Sequence, residues 1–363
     1  MDGNPTTVGM PLHTRSLTVT VSRTSESTWH ARGDVIDLRK NGFVPSNYDL
    51  QPSGVIHMMS IDFDFDPKTL IIESIEIAQP FVAIESSEAT KGECCRDPAP
   101  KLLALNGECL DTVFTKKLGG VFGGALGCSH LLTLFQLMAS AVPRAVVLEY
   151  DRIAREGTEH PLGARFYRRA VFVDGNQRSG EQTDVAVQLA DTHTRPLEGG
   201  ARVTERLSLS HEVKTFATID RKRFLVDRLE IRERERTYST VGTATWTDHT
   251  EWAEPLLGVR LIPGMAGRIF KLIGDRGDLQ AVRDNLLQMA PGFLQITAAQ
   301  MDEYFERREQ TQPGETPEKP AVSDLGGNSD SCYMWRRDGA IHSAWFAGTA
   351  IGGPGTRSRS GDA

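Results

Sequence analysis

Apolar and polar residues alternate with a period of two along four stretches early in the chain: RSLTVTVS (15–22), WHARGDVIDLR (29–39), GVIHMMSIDFDFD (54–66) and FDPKTLIIESIEI (65–77). The same alternation returns in RAVFVDG (169–175), TDVAVQLADTH (183–193), LSHEVKTFATID (209–220) and IDRKRFLVDRLEI (219–231). A period of two marks half-buried strands. The connections are too short for crossovers, so the strands are expected to pair antiparallel. Each set is followed by stretches with helical spacing, about 110–118 and 128–142 in the first and about 264–273 and 277–290 in the second. Strands followed by helices indicate an α+β protein. The expected fold is α+β, with two pseudo-symmetric repeats of about four antiparallel strands followed by two helices.

The repeats are visible as sequence. At a constant offset of 154, Arg15 meets Arg169, Asp37 meets Asp191 and His57 meets His211. Leu102 and Leu103 meet Leu256 and Leu257, and Lys117, Leu118 and Gly120 meet Lys271, Leu272 and Gly274. Residues 10–150 therefore read as a first repeat and 160–306 as a second, joined or packed as an internal pseudo-dimer. Residues 307–330 are rich in Pro, Gly and acids and read as a mobile linker. Residues 331–350 form a C-terminal return segment, and 351–363 a disordered tail.

The stretch LGGVFGGALGCSHLLTLFQLMASAVP (118–143) carries no Asp, Glu, Lys or Arg. Its length would permit a membrane span, but five glycines, His130, Gln136 and a closing Pro143 favour a buried helix after a glycine loop. The formal charge is −7, and the basic run DRKRFLVDRLEIRERER is interleaved with acids, so neither nucleic acid nor membrane is an expected partner. The N-terminus lacks a basic start followed by an apolar core. Five cysteines, an odd number, favour free thiols in a reducing cytoplasm. A small-molecule ligand is the expected partner, with a homo-oligomer left open.

The glycine loop ends in Gly127-Cys128-Ser129-His130 at a helix start. Unpaired N–H groups and the helix dipole favour a thiolate there. The catalytic candidates are Cys128, His130, His57 and Asp37. Arg15 is the candidate clamp for a substrate carboxylate, and Gly119, Gly120 and Gly127 the candidate rim offering N–H groups to an anionic oxygen. The plainer alternatives are a small core thiol, a capping histidine, a backbone-bonded His57 and a turn-capping Asp37. No cofactor motif appears, neither a dinucleotide fingerprint nor a phosphate-binding loop, so no cofactor is expected. The alternative is zinc, held by His57, Cys128, His130 and Cys332.

HTR (13–15), the Asp after GDVI, GVIHMM (54–59), LGG…GCSHL (118–131) and SDSCYMWRRDG (329–339) together resemble a bacterial family catalogued as domain of unknown function 2889. The chain departs from that pattern at Met58, where the family has an acid, in the extra residues VFGGAL (121–126), and at Tyr333, where the family has a His. The resemblance implies a fold and candidate site residues, but no reaction. Three function classes stay open. The first is a cytoplasmic enzyme, a lyase or isomerase, working on a small organic acid or aromatic metabolite by cofactor-independent acid–base or thiolate chemistry. The second is a metal or iron–sulfur/sulfur carrier, and the third a non-catalytic small-molecule binding or assembly protein.

Overall fold

The computed structural model describes residues 7–46, 49–178, 181–197, 199, 202–274, 276–300 and 329–342. Strands β1 (Met10–Arg23) and β2 (Trp29–Arg39) are followed by a small hairpin, β3 (Val44–Ser46) with β4 (Asp49–Gln51). Then come β5 (Gly54–Phe65) and β6 (Ile72–Phe81). The second set is β7 (Arg165–Gln177), β8 (Gln182–Thr194), β9 (Leu207–Asp220), β10 (Leu225–Arg236) and the two-residue β11 (Thr247–Asp248). Nine strands make one sheet in the order β11-β10-β9-β8-β7-β1-β2-β5-β6. Every pairing in it is antiparallel, as the short connections require.

The period-two pattern dictates the faces. On β1, Leu17, Val19 and Val21 are buried on one side, while Ser16, Thr18 and Thr20 lie half-buried on the other. All five helices pack on the side that takes the odd-numbered residues of these strands. They are α1 (Phe114–Phe122), α2 (Ser129–Glu156), α3 (Met265–Ile273), α4 (Gln280–Leu287) and α5 (Met289–Ala298). The core lies between the sheet and these helices. The opposite face carries alternating charges. On β10 it shows Arg228, Glu230, Arg232 and Arg234, and the last of these pairs with Glu212 at 2.7 Å. The basic run is thus a solvated strand face.

The helices differ from expectation in two places. α2 does not stop at Pro143 but runs to Glu156 and ends at Gly157, which takes the left-handed conformation at φ 66°. Its buried stripe of Leu131, Leu134, Phe135, Met138, Ala141, Val142 and Ala145 continues across the proline. Packing on the sheet holds together a helix that the missing N–H alone would interrupt. This helix is long and apolar enough to cross a membrane, but much of that apolar surface is turned into the core. The stretch expected as one helix over 277–290 is a 3-10 turn (Gly277–Leu279) followed by α4 and α5, which break at Gln288 just ahead of Pro291.

Of the return segment, residues 331–342 are described. The N–H of Tyr333 donates to the Gly127 carbonyl at 2.8 Å, and Met334 and Ile341 pack on Ile84. The tail and all but the last two residues of the expected linker lie outside the described residues.

Candidate functional site

The inward face of β1 is apolar in its second half, but its first half carries His13 and Arg15. A spacing of two puts both on one side of the strand. In the register, Arg15 stands opposite Asp37 and Asp37 opposite His57, so three strands contribute one polar row at the same end of the sheet. The β2–β5 register shifts immediately after the Asp37–His57 pair, and Ile56 and His57 are both buried. Such a bulge re-aims a side chain toward a site. The N-terminus of α2 lies over this row, with Cys128 as its N-cap residue and His130 in its first turn.

Asp37 is fully buried at the centre. Its Oδ1 accepts a hydrogen bond from His13 Nε2 at 3.0 Å and faces Arg15 Nε at 3.6 Å. Its Oδ2 lies 3.2 Å from His57 Nδ1 and 3.3 Å from His130 Nε2. Yet Asp37 Oδ2 and His57 Nδ1 form no hydrogen bond with any described residue. The His57 and His130 rings stack with centroids 3.8 Å apart. The Gln295 amide of α5 sits 3.2 Å from His130 Nε2, and Cys128 Sγ lies 3.8 Å from His130 Nδ1. If the amide N–H donates to Nε2, Nδ1–H points at the sulfur, and the Cys128 thiol in turn faces Met59 Sδ at 3.9 Å.

Burial alone would raise the Asp37 carboxyl. The Arg15 charge, the His13 hydrogen bond and the close approach of His130 and His57 outweigh it and hold Asp37 well below the ordinary carboxylate value. Burial lowers His130 to about 3, helped by His57 and Arg15 and opposed by Asp37. His13 is also lowered, chiefly by burial, against the pull of Asp37. At neutral pH the cluster therefore holds an ionised carboxylate beside neutral His130 and His13.

Asp37, His57 and His130 come together, with Arg15 beside them. The thiol and the glycines behave otherwise. Burial pushes Cys128 up to about 12, and the N–H groups of Leu131 and His130 at the helix start offset only part of that. Desolvation outweighs the helix dipole, so the expected thiolate is not favoured. The glycine rim does not form either. Gly119 and Gly120 are exposed within α1, and the Gly127 N–H donates to the Gly124 carbonyl at 3.3 Å. Gly127 is instead a packing position, where an added Cβ would fall 2.2 Å from the Phe122 carbonyl oxygen. The expected zinc set is also rearranged. Three donor atoms, one each from Asp37, His57 and His130, lie within 4.8 Å of one another, and this is the one group of its kind among the described residues. Cys128 faces the far edge of the His130 ring. Cys332 packs with Cys95, Met334 and Trp335, close enough to Cys128 for charge on one thiol to disfavour charge on the other.

His13 and Gln295 were not among the expected site residues. The spacing of His13 from Arg15 carried a signal for the first. Gln295 lies 165 residues from His130, and no local pattern could have found it.

In the second set of strands, the residues 154 positions on from Arg15, Asp37 and His57 are bound up in salt bridges and hydrogen bonds. Arg169 holds Asp191 through two N–H bonds of 2.7 and 2.8 Å and reaches Asp284 at 2.6 Å. Arg144 of α2 adds a contact to Asp191 at 3.1 Å and to His211 at 2.9 Å. Tyr167 stands on β7 two residues before Arg169, as His13 does before Arg15 on β1. α2 and α4 begin 151 residues apart, with N-cap residues Cys128 and Leu279. Leu279 and Ala281 hold the positions at the start of α4 that Cys128 and His130 hold at the start of α2.

No match was found among curated proteins or among solved structures. Residues 13–143 match the model of a family described as protein of unknown function (DUF2889), a span that takes in β1, β2, β5, β6 and the start of α2, and with them His13, Arg15, Asp37, His57, Cys128 and His130. The similarity of this chain to the DUF2889 family rests on residues 13–143.

Proposed function

We propose that the protein is a metal-dependent enzyme acting on a small organic acid, with Asp37 Oδ2, His57 Nδ1 and His130 Nε2 holding one divalent cation. The observation that carries this reading is the approach of these atoms to 3.2 and 3.3 Å, with Oδ2 and Nδ1 left out of hydrogen bonding. Ligand atoms about 2.0–2.2 Å from a common metal ion stand roughly 3–3.5 Å apart, so the spacing suits a shared cation. Two histidines and one carboxylate make a set used for zinc and for non-haem iron, with positions left for substrate or water. The ionised Asp37 and neutral His130 suit the role, since a metal needs ionised carboxylate and neutral imidazole.

The surrounding residues fit this role. His13 and Arg15 face Asp37 Oδ1 and so orient Oδ2, Cys128 supports His130 from its other nitrogen, as outer partners of a metal ligand do, and the Gln295 amide would give up its hydrogen bond to His130 Nε2 when a cation takes that lone pair. Arg15 is 2% exposed, and its Nε and one terminal nitrogen have no hydrogen-bond partner among the described residues. A cation beside Arg15 would leave the centre with excess positive charge, which an anionic substrate group offsets. A bound metal supplies Lewis acidity toward an oxygen beside the scissile or enolising bond. Proton transfer next to a carboxylate is the chemistry of lyases and isomerases. The carrier reading is less favoured, because all three donors are buried rather than open to a partner.

We further propose that the chain is an internal duplication with one active half and one scaffold half, a pseudo-dimer. At the seam between β1 and β7, Leu17 pairs with Val171, an offset of 171 − 17 = 154. Arg15 pairs with Val173 and Val19 with Arg169, as a two-fold axis through that pair requires. Strand order supports it, β1-β2-β5-β6 running outward on one side and β7-β8-β9-β10 on the other. Five free cysteines suit a cytoplasmic protein.

Metal content of the purified protein tests the main reading. About one equivalent of zinc, iron or manganese per chain is expected, falling to background in Asp37→Asn and His57→Ala while the fold persists. Equal metal content in wild type and both variants would refute it.

A further inference from the structure

Away from the Asp37 row, on the sheet face opposite the helices, a cleft of about 690 Å³ opens at the end of β7 and β8. It is roofed by two 3-10 turns, Val203–Arg206 and Tyr238–Thr240. Its volume lies within the range of roughly 300–1,000 Å³ common for small-molecule sites. Val203, Tyr238 and Val241 are exposed apolar or aromatic residues on its wall. The rim carries Arg165, Arg168 and Arg206, and the lining contains no Asp or Glu.

These arginines are unusual for this chain. It is acidic overall, and most of its described arginines engage a carboxylate, as Arg152, Arg169, Arg223 and Arg234 do. The side chains of Arg165, Arg168 and Arg206 form no hydrogen bond or ion pair with any described residue. Three uncompensated guanidinium groups around one apolar hollow select a ligand with an apolar body and an anionic head.

We propose that this cleft binds a free amphipathic anion, an aryl or medium-chain alkyl carboxylate or sulfonate, its apolar part against Val203, Tyr238 and Val241 and its head on the arginines. The site lies on the sheet face opposite Asp37 and stands independently of the metal centre. It would act as a second binding site on the scaffold half, leaving the buried row to chemistry.

The test uses the full chain and two fluorescent probes, 8-anilinonaphthalene-1-sulfonate and its uncharged counterpart N-phenyl-1-naphthylamine. The sulfonate should bind at one site at least tenfold more tightly than the neutral probe. The double variant Arg168→Glu, Arg206→Glu should weaken the sulfonate at least tenfold, with an unchanged far-UV circular dichroism spectrum. Asp37→Asn should bind it like wild type, which separates this site from the proposed metal centre. Equal affinity for the two probes, or no loss in the double variant, would overturn the proposal. So would sedimentation with phosphatidylglycerol vesicles without binding of the free sulfonate.

Discussion

Two arginines on neighbouring strands, Arg15 of β1 and Arg169 of β7, have different surroundings. Arg169 is saturated by Asp191 and Asp284, whereas Arg15 has one carboxylate at 3.6 Å. Removing one partner of a buried, hydrogen-bonded ion pair leaves a buried charge uncompensated and costs about 3–5 kcal/mol. Arg169→Met should therefore lose about that much in urea denaturation, and Arg15→Met clearly less. The ranking would reverse if Arg15 were the structural arginine. Protons should also act on the cluster. The folded value of His130 near 3 lies below the unfolded value of about 6.5, so between them the unfolded chain binds a proton that the folded chain does not. Stability of the metal-free protein should fall as pH drops below about 6.5, by up to about 1.4 kcal/mol per unit from this residue. His13 adds to the same slope, being lowered too. Asp37 acts in the same direction at lower pH, its depressed value giving stability that is present above about 4 and lost as pH falls toward the folded value. Denaturation at pH 7.5 and 5.5 should show a smaller loss in His130→Asn than in wild type, and equal losses would remove His130 from this account. Iodoacetamide should leave Cys128 unmodified in the folded protein at pH 7.5, since its thiol is buried and raised to about 12.

Helices reach the sheet where a side chain is missing from one or the other. A Cβ on Gly33 of β2 would come within 2.5 Å of Met138 Sδ on α2, and one on Gly292 of α5 within 2.4 Å of Val173 on β7. These glycines set the approach of α2 and α5, and α5 brings Gln295 to His130. Gly292→Ala should cost about 1–3 kcal/mol by overpacking. Gly267→Ala in α3, with nothing within 4 Å, should be neutral or stabilise by up to about 1 kcal/mol through helix propensity. Thermal melts of the two variants check the contrast. The strands were legible in the sequence because alternation with one buried face is a local, repeated signal. The run of α2 through Pro143 was not, because the apolar stripe beyond the proline matters only once there is a sheet to bury it. The break between α4 and α5 was equally hidden, although Pro291 and Gly292 marked its neighbourhood.

Across the whole chain, β1 and β7 are joined along nearly their full length, from Met10–Gln177 to Ser22–Arg165, and one hydrophobic core extends from Phe65 to Phe293. Neither half has a free inner edge. Tryptophan fluorescence, which samples Trp29 in one half and Trp252 in the other, should report the same denaturation midpoint as far-UV circular dichroism. Separate midpoints would mean that the seam is weaker than its pairing indicates. By itself the sequence determined the strands, their antiparallel sense, the α+β class, and the presence of Arg15, Asp37, His57 and His130 as polar residues at the ends of apolar patterns. All of these follow from periodicity and chain connectivity, which act over a few residues. Only the tertiary structure decided that Asp37 Oδ2 faces two imidazoles, that Cys128 supports His130 instead of ionising, and that Gln295 reaches the same ring. Those outcomes depend on how far burial removes each group from water and on contacts between residues up to 165 positions apart, and neither quantity is written in any local stretch of the chain.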